Sequence, residues 1–147
     1  MIDRVTKFES WKSIEGKKTV SLEELLMLDD GTGNYLPQTL VLESCIELAR
    51  MLINRSSDFT ISSILSEAEE FSFPSRVGAG EVMKISAEIT GRDDETASFK
   101  CRISLSEKEA VSGQITVSLI PLKELSEHKQ IKIMWEEVCN NQPYLRR

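Results

Sequence analysis

The fold is decided by the stretch LVLESCIELARMLI, residues 40–53, which is apolar at almost every position. So many apolar residues cannot share one stripe of a helix, so other structure must wrap this helix on several sides. Pro37 suits its first turn, because the N–H that proline lacks would be unpaired there, and we expect the helix to run to about Asn54. Four of its polar residues are spaced to lie along one edge, and they are Thr39, Glu43, Glu47 and Arg50.

Downstream of this helix, residues 59–122 alternate between apolar and polar with a period of two, which predicts strands with one buried face. A long strand is expected from Thr60 to Phe73. The links between the later strands are short enough for hairpins, so these strands form an antiparallel meander. The three strands of the meander cover Met83 to Ile89, Phe99 to Leu105, and Val111 to Leu119.

Upstream, Ile2 to Glu9 and Lys18 to Leu22 are predicted as two strands of a hairpin, separated at Gly16. An acidic, glycine-containing loop then leads to the helix. The order of two strands, one buried helix and four strands predicts an α+β hotdog fold, an antiparallel sheet wrapped around one long central helix. We assign residues 1–122 to this domain and residues 123–147 to an appended tail with a helix from Leu125 to Cys139, which Ser126 would cap.

Composition limits the function classes. The 147 residues suit one domain, and 18 Lys and Arg against 24 Asp and Glu give a net charge of −6, which disfavours nucleic-acid and membrane binding. Cys45, Cys101 and Cys139 form no C-x-x-C pair, so we expect reduced thiols. The first residues lack an apolar leader and no segment is long and apolar enough to cross a bilayer, so we expect a cytoplasmic protein. We expect no metal and no cofactor.

Three motifs together resemble the FabZ-type 3-hydroxyacyl-acyl-carrier-protein dehydratases. MIDRV at residues 1–5 is similar to their opening strand LVDRV, and LPQTLVLESC at 36–45 is similar to their helix start MPGVLLLEAM. FPSRVGAGE at 73–81 resembles their turn FxxPVxPGD. The motifs occur in the family's order, and the resemblance covers residues 1–122.

The resemblance implies dehydration of a 3-hydroxyacyl thioester carried on a phosphopantetheine arm. In that mechanism a loop histidine removes the α-proton, a helix carboxylate of the neighbouring subunit protonates the leaving hydroxyl, and backbone N–H groups hold the thioester oxygen. The acid falls on Glu43, and the candidate substrate-binding residues are Leu36, Pro37, Gln38 and Glu47. The family's glycine after the proline is Gln38 here.

The family's base is replaced. Its histidine opens an HFPG motif, and DDGT at residues 29–32 stands in that place. Asp29 and Asp30 are therefore the candidate bases, although an aspartate pKa near ~3.9 suits removal of a C–H proton poorly unless burial raises it. The histidine of the chain, His128, lies in the tail, where a solvated helix position is expected. We therefore expect altered or absent dehydratase activity.

Three functions stay open at this point. The chain is an acyl-thioester-binding subunit that completes a site with a paralogous dehydratase, an active hydro-lyase that uses an aspartate with Glu43, or a thioesterase that uses Asp29 or Asp30 with Glu43. Glu43, Glu47 and Arg50 are also spaced for ion pairs on the helix surface. The expected partners are an acyl carrier protein or a CoA thioester, and the expected assembly is a homodimer or a trimer of dimers.

Overall fold

The predicted central helix and most of the predicted strands are present, and the strands form one sheet, but the second strand is Ser13–Thr19 and not Lys18 to Leu22. The computed structural model describes residues 1–27, 34–124, 133 and 135–138. Over this part of the chain, six antiparallel strands take the order β1-β2-β4-β5-β6-β3, with a long helix packed on one face, which is the hotdog fold. The elements are β1 Arg4–Glu9, β2 Ser13–Thr19, α1 Leu22–Met27, α2 Gln38–Ser56, β3 Ile61–Ser72, β4 Val82–Arg92, β5 Thr96–Leu105, β6 Lys108–Pro121 and a 3-10 turn Leu122–Glu124.

The central helix α2 packs into the sheet as its sequence predicts. Leu48 and Leu52 have no exposed surface, and they lie among apolar side chains from β2, β4, β5 and β6. Cys45 of α2 and Cys101 of β5 are both buried and both reduced. The contact between the two thiols and their burial raise the pKa of Cys45 well above its usual range, so this thiol is unreactive.

Gly16 is the first correction to the sequence analysis. It does not separate two strands but lies inside β2, paired with Val5 and with Ile85. A Cβ at this position would lie 3.0 Å from the Arg4 carbonyl oxygen and 3.1 Å from a Leu48 methyl group. Glycine is therefore required here because helix and sheet approach closely, and not because the chain turns.

The second correction is the helix α1, which the sequence analysis treated as the end of a strand and a loop. The Ser21 hydroxyl accepts a hydrogen bond from the Glu24 N–H at 3.0 Å, which caps the helix. Leu25 is buried, whereas Leu22 and Leu26 are exposed. Because one apolar residue faces the core and two face outward, no helical period marks this segment.

The meander is confirmed, with tighter links than expected. The loop between β5 and β6 is the pair Ser106 and Glu107, both at positive φ, which matches the twist of a two-residue hairpin. The Asp93 carboxylate caps the link between β4 and β5, and hydrogen bonds from the Glu95 and Thr96 N–H groups lower its pKa.

The long strand β3 is an edge of the sheet. It pairs with β6 from Ile61 opposite Pro121 to Ser72 opposite Ser112, with two irregularities of register along the way. Its other side has no strand beside it in the described chain. The side chain of Ile64 in this strand is 53% exposed.

Part of the predicted tail is described. Ile133 and residues 135–138 are helical, and the Trp135 ring packs edge-on against Phe8 at 5.5 Å. The rest of the predicted tail helix, with Ser126, His128 and Cys139, lies outside the described residues, as do Asp29 and Asp30. No helix in the described segments is long and apolar enough to cross a membrane.

Candidate functional site

A cavity of about 260 Å³ opens at the N-terminus of α2. It lies between the helix start, the segment that precedes it, and the chain that connects β3 to β4. Most of its lining residues are apolar or aromatic, three are polar, and one of those three, an arginine, is charged. The lining residues are Tyr35, Leu36, Pro37, Gln38, Val41, Phe73, Ser75, Arg76, Val77 and Val111.

Backbone pairing fixes the segment before the helix. Tyr35 forms an isolated antiparallel bridge with Gly78, and the Leu36 N–H donates to the Val77 carbonyl at 2.7 Å. The turn beyond Val77 is held by the Glu81 carboxylate, which accepts a hydrogen bond from the Gly78 N–H at 2.5 Å. The segment that resembles the family's turn, residues 73–81, is thus a hydrogen-bonded loop that holds the start of α2.

These contacts decide which backbone donor is free at the cavity. The Leu36 N–H is already paired, and Pro37 has no N–H. Pro37 is the N-cap and supplies no capping side chain, and α2 has no acidic residue in its first turn. The Gln38 N–H therefore has no acceptor among the described residues, as is usual for the first N–H of an uncapped helix.

Phe73, which lines the cavity, stacks on Phe71, and Phe71 packs over Gly113. Phe71 and Phe73 stack with their ring centres 6.0 Å apart, and a Cβ at Gly113 would overlap the Phe71 ring. Glu70, just before them, has a φ of 54°, where β3 departs from regular pairing with β6. Both rings are partly buried against the hydrophobic core, and the small size of Gly113 leaves room for Phe71.

The candidate acid Glu43 lies elsewhere on α2. It is exposed and lines a separate cavity of about 200 Å³ with Glu47, Lys18 and Glu24, among others. Lys18 is buried and paired with Glu24 at 3.1 Å, and Glu47 lies 3.6 Å from the Met1 amino group. The structure therefore places Gln38 and Pro37 at one cavity of the chain, and Glu43 and Glu47 at another.

The surface ion pairs considered for Glu43, Glu47 and Arg50 do not form in the described structure. The Arg50 Nε donates to the Ser63 carbonyl oxygen at 3.2 Å instead. Glu43 makes no ion pair with a described residue. Its carboxylate is thus available to solvent or to another chain.

Comparison with known proteins agrees with this architecture. The FabZ 3-hydroxyacyl-acyl-carrier-protein dehydratase of Levilactobacillus brevis is 28% identical over 117 residues, 78% of this chain and 79% of the relative. The FabZ of Lactobacillus helveticus is 25% identical over the same shares of each chain. This chain is a FabZ-like hotdog protein. No family model matches it.

Solved structures share the hotdog fold with the FabZ-like chain at low sequence identity. A Streptococcus mutans protein bound to acetyl CoA aligns with a TM-score of 0.65 and 10% identity over 80% of this chain and 88% of its own. A mutant of the fluoroacetyl-CoA-specific thioesterase FlK aligns with a TM-score of 0.66 and 9% identity over 81% and 100%. A hot-dog-like protein from Thermanaerovibrio acidaminovorans aligns with a TM-score of 0.66 and 12% identity over 88% and 92%.

Some residues of the candidate site in the FabZ-like chain were not predicted from the sequence. Arg76 lies with its guanidinium 5.3 Å from the centre of the Tyr35 ring at the cavity, and Phe73 is a further lining residue. The acidic run that contains Asp29 and Asp30 directly precedes the described segment that begins at Asn34. The roles of Asp29 and Asp30 remain predictions. Among the described residues no group of His, Cys, Asp and Glu could hold a metal ion.

Proposed function

We propose that this FabZ-like chain binds acyl thioesters in the cavity at the start of α2, with dehydratase activity altered or absent. The observation that carries the proposal is the Gln38 N–H, which has no acceptor in the described chain and belongs to a residue that lines the cavity at the helix N-terminus. A carbonyl oxygen accepts well there, because the unpaired N–H and the positive end of the helix dipole both favour negative charge.

The rest of the cavity suits the acyl part of such a ligand. Phe73, Val77 and Val111 offer apolar side chains on one side of the cavity, and Leu36 and Val41 offer them on the helix side. Burial of an alkyl chain is worth roughly 0.8 kcal/mol per methylene group. A polar thioester with an apolar tail therefore finds both kinds of contact in this cavity.

The substrate would be carried on an acyl carrier protein or on CoA. The relatives are named as acyl-carrier-protein dehydratases, and one structural neighbour was solved with acetyl CoA. Both carriers present a thioester at the end of the same kind of flexible arm. We propose this class of ligand without distinction between the two carriers.

The chemistry depends on carboxylates. Glu43 lies at a different cavity of the same chain from Gln38, so a Glu43 that protonates a leaving hydroxyl would act in a site completed by another chain. With Asp29 in place of the base histidine, proton removal from carbon becomes slow. Hydrolysis by a carboxylate that acts as nucleophile or base is the second candidate, and it is favoured by the likeness to the thioesterase FlK.

We further propose that the chain forms a homodimer through β3, alone or within a trimer of dimers. β3 is a twelve-residue edge strand with an exposed Ile64, and a strand of a second copy of the chain can pair with it. A paralogous dehydratase that supplies the missing histidine could take the same place.

The binding proposal is tested with the Gln38→Pro variant. Proline is favoured at the first helical position, so the fold is kept while the free N–H is removed. We expect about tenfold weaker binding of an acyl-pantetheine thioester by calorimetry, and near-normal binding by the matched control Gln38→Ala, which keeps the N–H. Equal affinities of the two variants would remove the N–H from the site.

The reaction is tested by intact-mass spectrometry of 3-hydroxyacyl and enoyl carrier-protein thioesters incubated with the purified chain. Interconversion by one water identifies a dehydratase with a rebuilt base, and loss of the acyl group identifies a thioesterase. Any turnover should be lost in Glu43→Gln if Glu43 takes part. No mass change together with measurable binding would identify a subunit whose chemistry belongs to its partner.

The assembly is tested by light scattering after size exclusion. We expect Ile64→Lys to convert a dimer to a monomer, because lysine on an edge strand opposes further pairing. Val82→Lys, on another exposed apolar position, is the matched control and should leave the mass unchanged. A dimer that persists in Ile64→Lys would place the interface elsewhere.

A further inference from the structure

The cavity at the start of α2 has a single charged lining residue, Arg76. The guanidinium group stacks on the Tyr35 ring at 5.3 Å, and this contact restrains a side chain that is otherwise exposed. A restrained cation loses less conformational freedom when it binds an anion than a free one does. The stacking thus prepares Arg76 for binding at the mouth of the cavity.

Arg76 also has no ionic partner in the described part of the chain. Other cations of the sheet do have one, such as Lys84 with Glu107 and Arg102 with Glu109. The nearest described carboxylate in sequence, that of Glu81, accepts the Gly78 N–H instead. The positive charge of Arg76 at the cavity is therefore not paired with a described carboxylate and is available to a ligand.

We propose that Arg76 is the anion-recognising residue of this cavity and selects ligands that carry an oxyanion near its mouth. The inference rests on the proposed binding of acyl thioesters. The oxyanion is either the phosphate of the pantetheine arm or a carboxylate on the acyl group, since a guanidinium pairs with both in the same two-pronged geometry. Arg76 would then decide which acyl thioesters this chain accepts.

The test uses three unreactive ligands, in which a methylene replaces the thioester sulfur. They are the pentanoyl-pantetheine analogue, which is neutral, its phosphate ester, and the glutaryl-pantetheine analogue, which has a carboxylate at the acyl end. Calorimetry compares the parent chain with Arg76→Gln and Arg76→Lys. The matched control is Arg92→Gln, because Arg92 also stacks on an aromatic ring, that of Trp11 at 3.9 Å, and does not line this cavity.

We expect the parent to bind one of the two anionic ligands about tenfold more tightly than the neutral one, and the preferred ligand identifies the source of the oxyanion. Arg76→Gln should abolish the preference while binding of the neutral ligand stays within about twofold. Arg76→Lys should keep part of it, and Arg92→Gln all of it. The inference is overturned if the parent shows no preference, if Arg76→Gln retains it, or if Arg92→Gln loses it equally.

Failure of the proposed function gives a different result. If the parent does not bind the neutral ligand, the cavity is not an acyl-thioester site. Binding of inorganic phosphate or glutarate that disappears in Arg76→Gln would then still support Arg76 as an anion-recognising residue. No binding of any probe would overturn both proposals.

Discussion

The two ends of α2 are built in opposite ways. At the C-terminal end the N–H groups of Ser57, Asp58 and Phe59 donate to Ile53, Arg55 and Asn54, at 2.7 to 3.1 Å. The Ser57 hydroxyl also accepts the Ile61 N–H at 3.0 Å and so ties the helix to β3.

The N-terminal end has no capping side chain, no acidic residue in its first turn, and an open cavity in front of it. At the C-terminal end the backbone carbonyls of the last turn accept hydrogen bonds, whereas the N-terminal end keeps a backbone donor unpaired. The unpaired donor at the N-terminal end is the group that the proposed ligand would use.

The hydrogen-bonded C-terminal end of α2 is the closed end, and the N-terminal end at the cavity is the open end. The largest effect should come from an aromatic side chain at the closed end. Phe59 is 5% exposed, so Phe59→Ala should lower the free energy of unfolding by about 4 kcal/mol in urea titration. The matched change at the open end, Tyr35→Ala, removes a ring that is 46% exposed and should cost about 1 kcal/mol or less. Similar costs at the two ends would contradict the comparison.

The next largest effect is expected at the wall of the open end. Gly113→Ala forces Phe71 to move and should lower the free energy of unfolding by about 2 kcal/mol, and should also weaken acyl-thioester binding because Phe73 moves with it. Gly91→Ala is the control, since a Cβ there meets no atom within 4 Å. If the double variant Gly113→Ala with Phe71→Leu is no more stable than Gly113→Ala alone, the clash is not the cause.

A smaller effect is expected for the hydroxyl group that closes the C-terminal end. Ser57→Ala leaves the Ile61 N–H without its acceptor, so we expect a loss of about 1 kcal/mol in thermal or urea unfolding and unchanged ligand affinity. Ser72→Ala, an exposed serine at the end of β3, should change little. A loss of affinity in Ser57→Ala would show that the two ends are not independent.

The smallest effect has the opposite sign. Thr39→Glu adds a carboxylate to the first turn of α2, where the helix dipole favours it, and should raise the free energy of unfolding by about 0.5 kcal/mol. The same carboxylate should weaken binding of an anionic ligand at the cavity. Thr39→Gln is the neutral control, and equal affinities in the two variants would separate the helix terminus from the ligand site.

The sequence predicted most of the fold because its signals are periodic. The alternation in β4, β5 and β6 and the all-round apolar character of α2 reflect burial directly. The role of Gly16 could not be predicted, since it depends on contacts with Arg4 and Leu48 from other elements. Ser21 caps α1 through the Glu24 N–H, but α1 has no apolar period that would mark it as a helix.

The sequence contains a motif for the helix start, but it contains no signal for the contacts that other segments make there. Pro37 and Gln38 at the helix start line the cavity, whereas Arg76 lines it because the segment after β3 packs against Tyr35. No spacing in the sequence shows that contact. The roles of Glu43, Asp29 and Asp30 stay predictions.

The position of β3 at the sheet edge also has a consequence during synthesis. Its partner β6 follows 40 to 60 residues later, as the pairs Ser72 with Ser112 and Ile61 with Pro121 show. At roughly 5–20 residues per second the ribosome leaves β3 unpaired for roughly 2 to 12 s. Glu67, Glu69 and Glu70 give this strand several negative charges, which keep nascent chains from pairing with one another before β6 arrives.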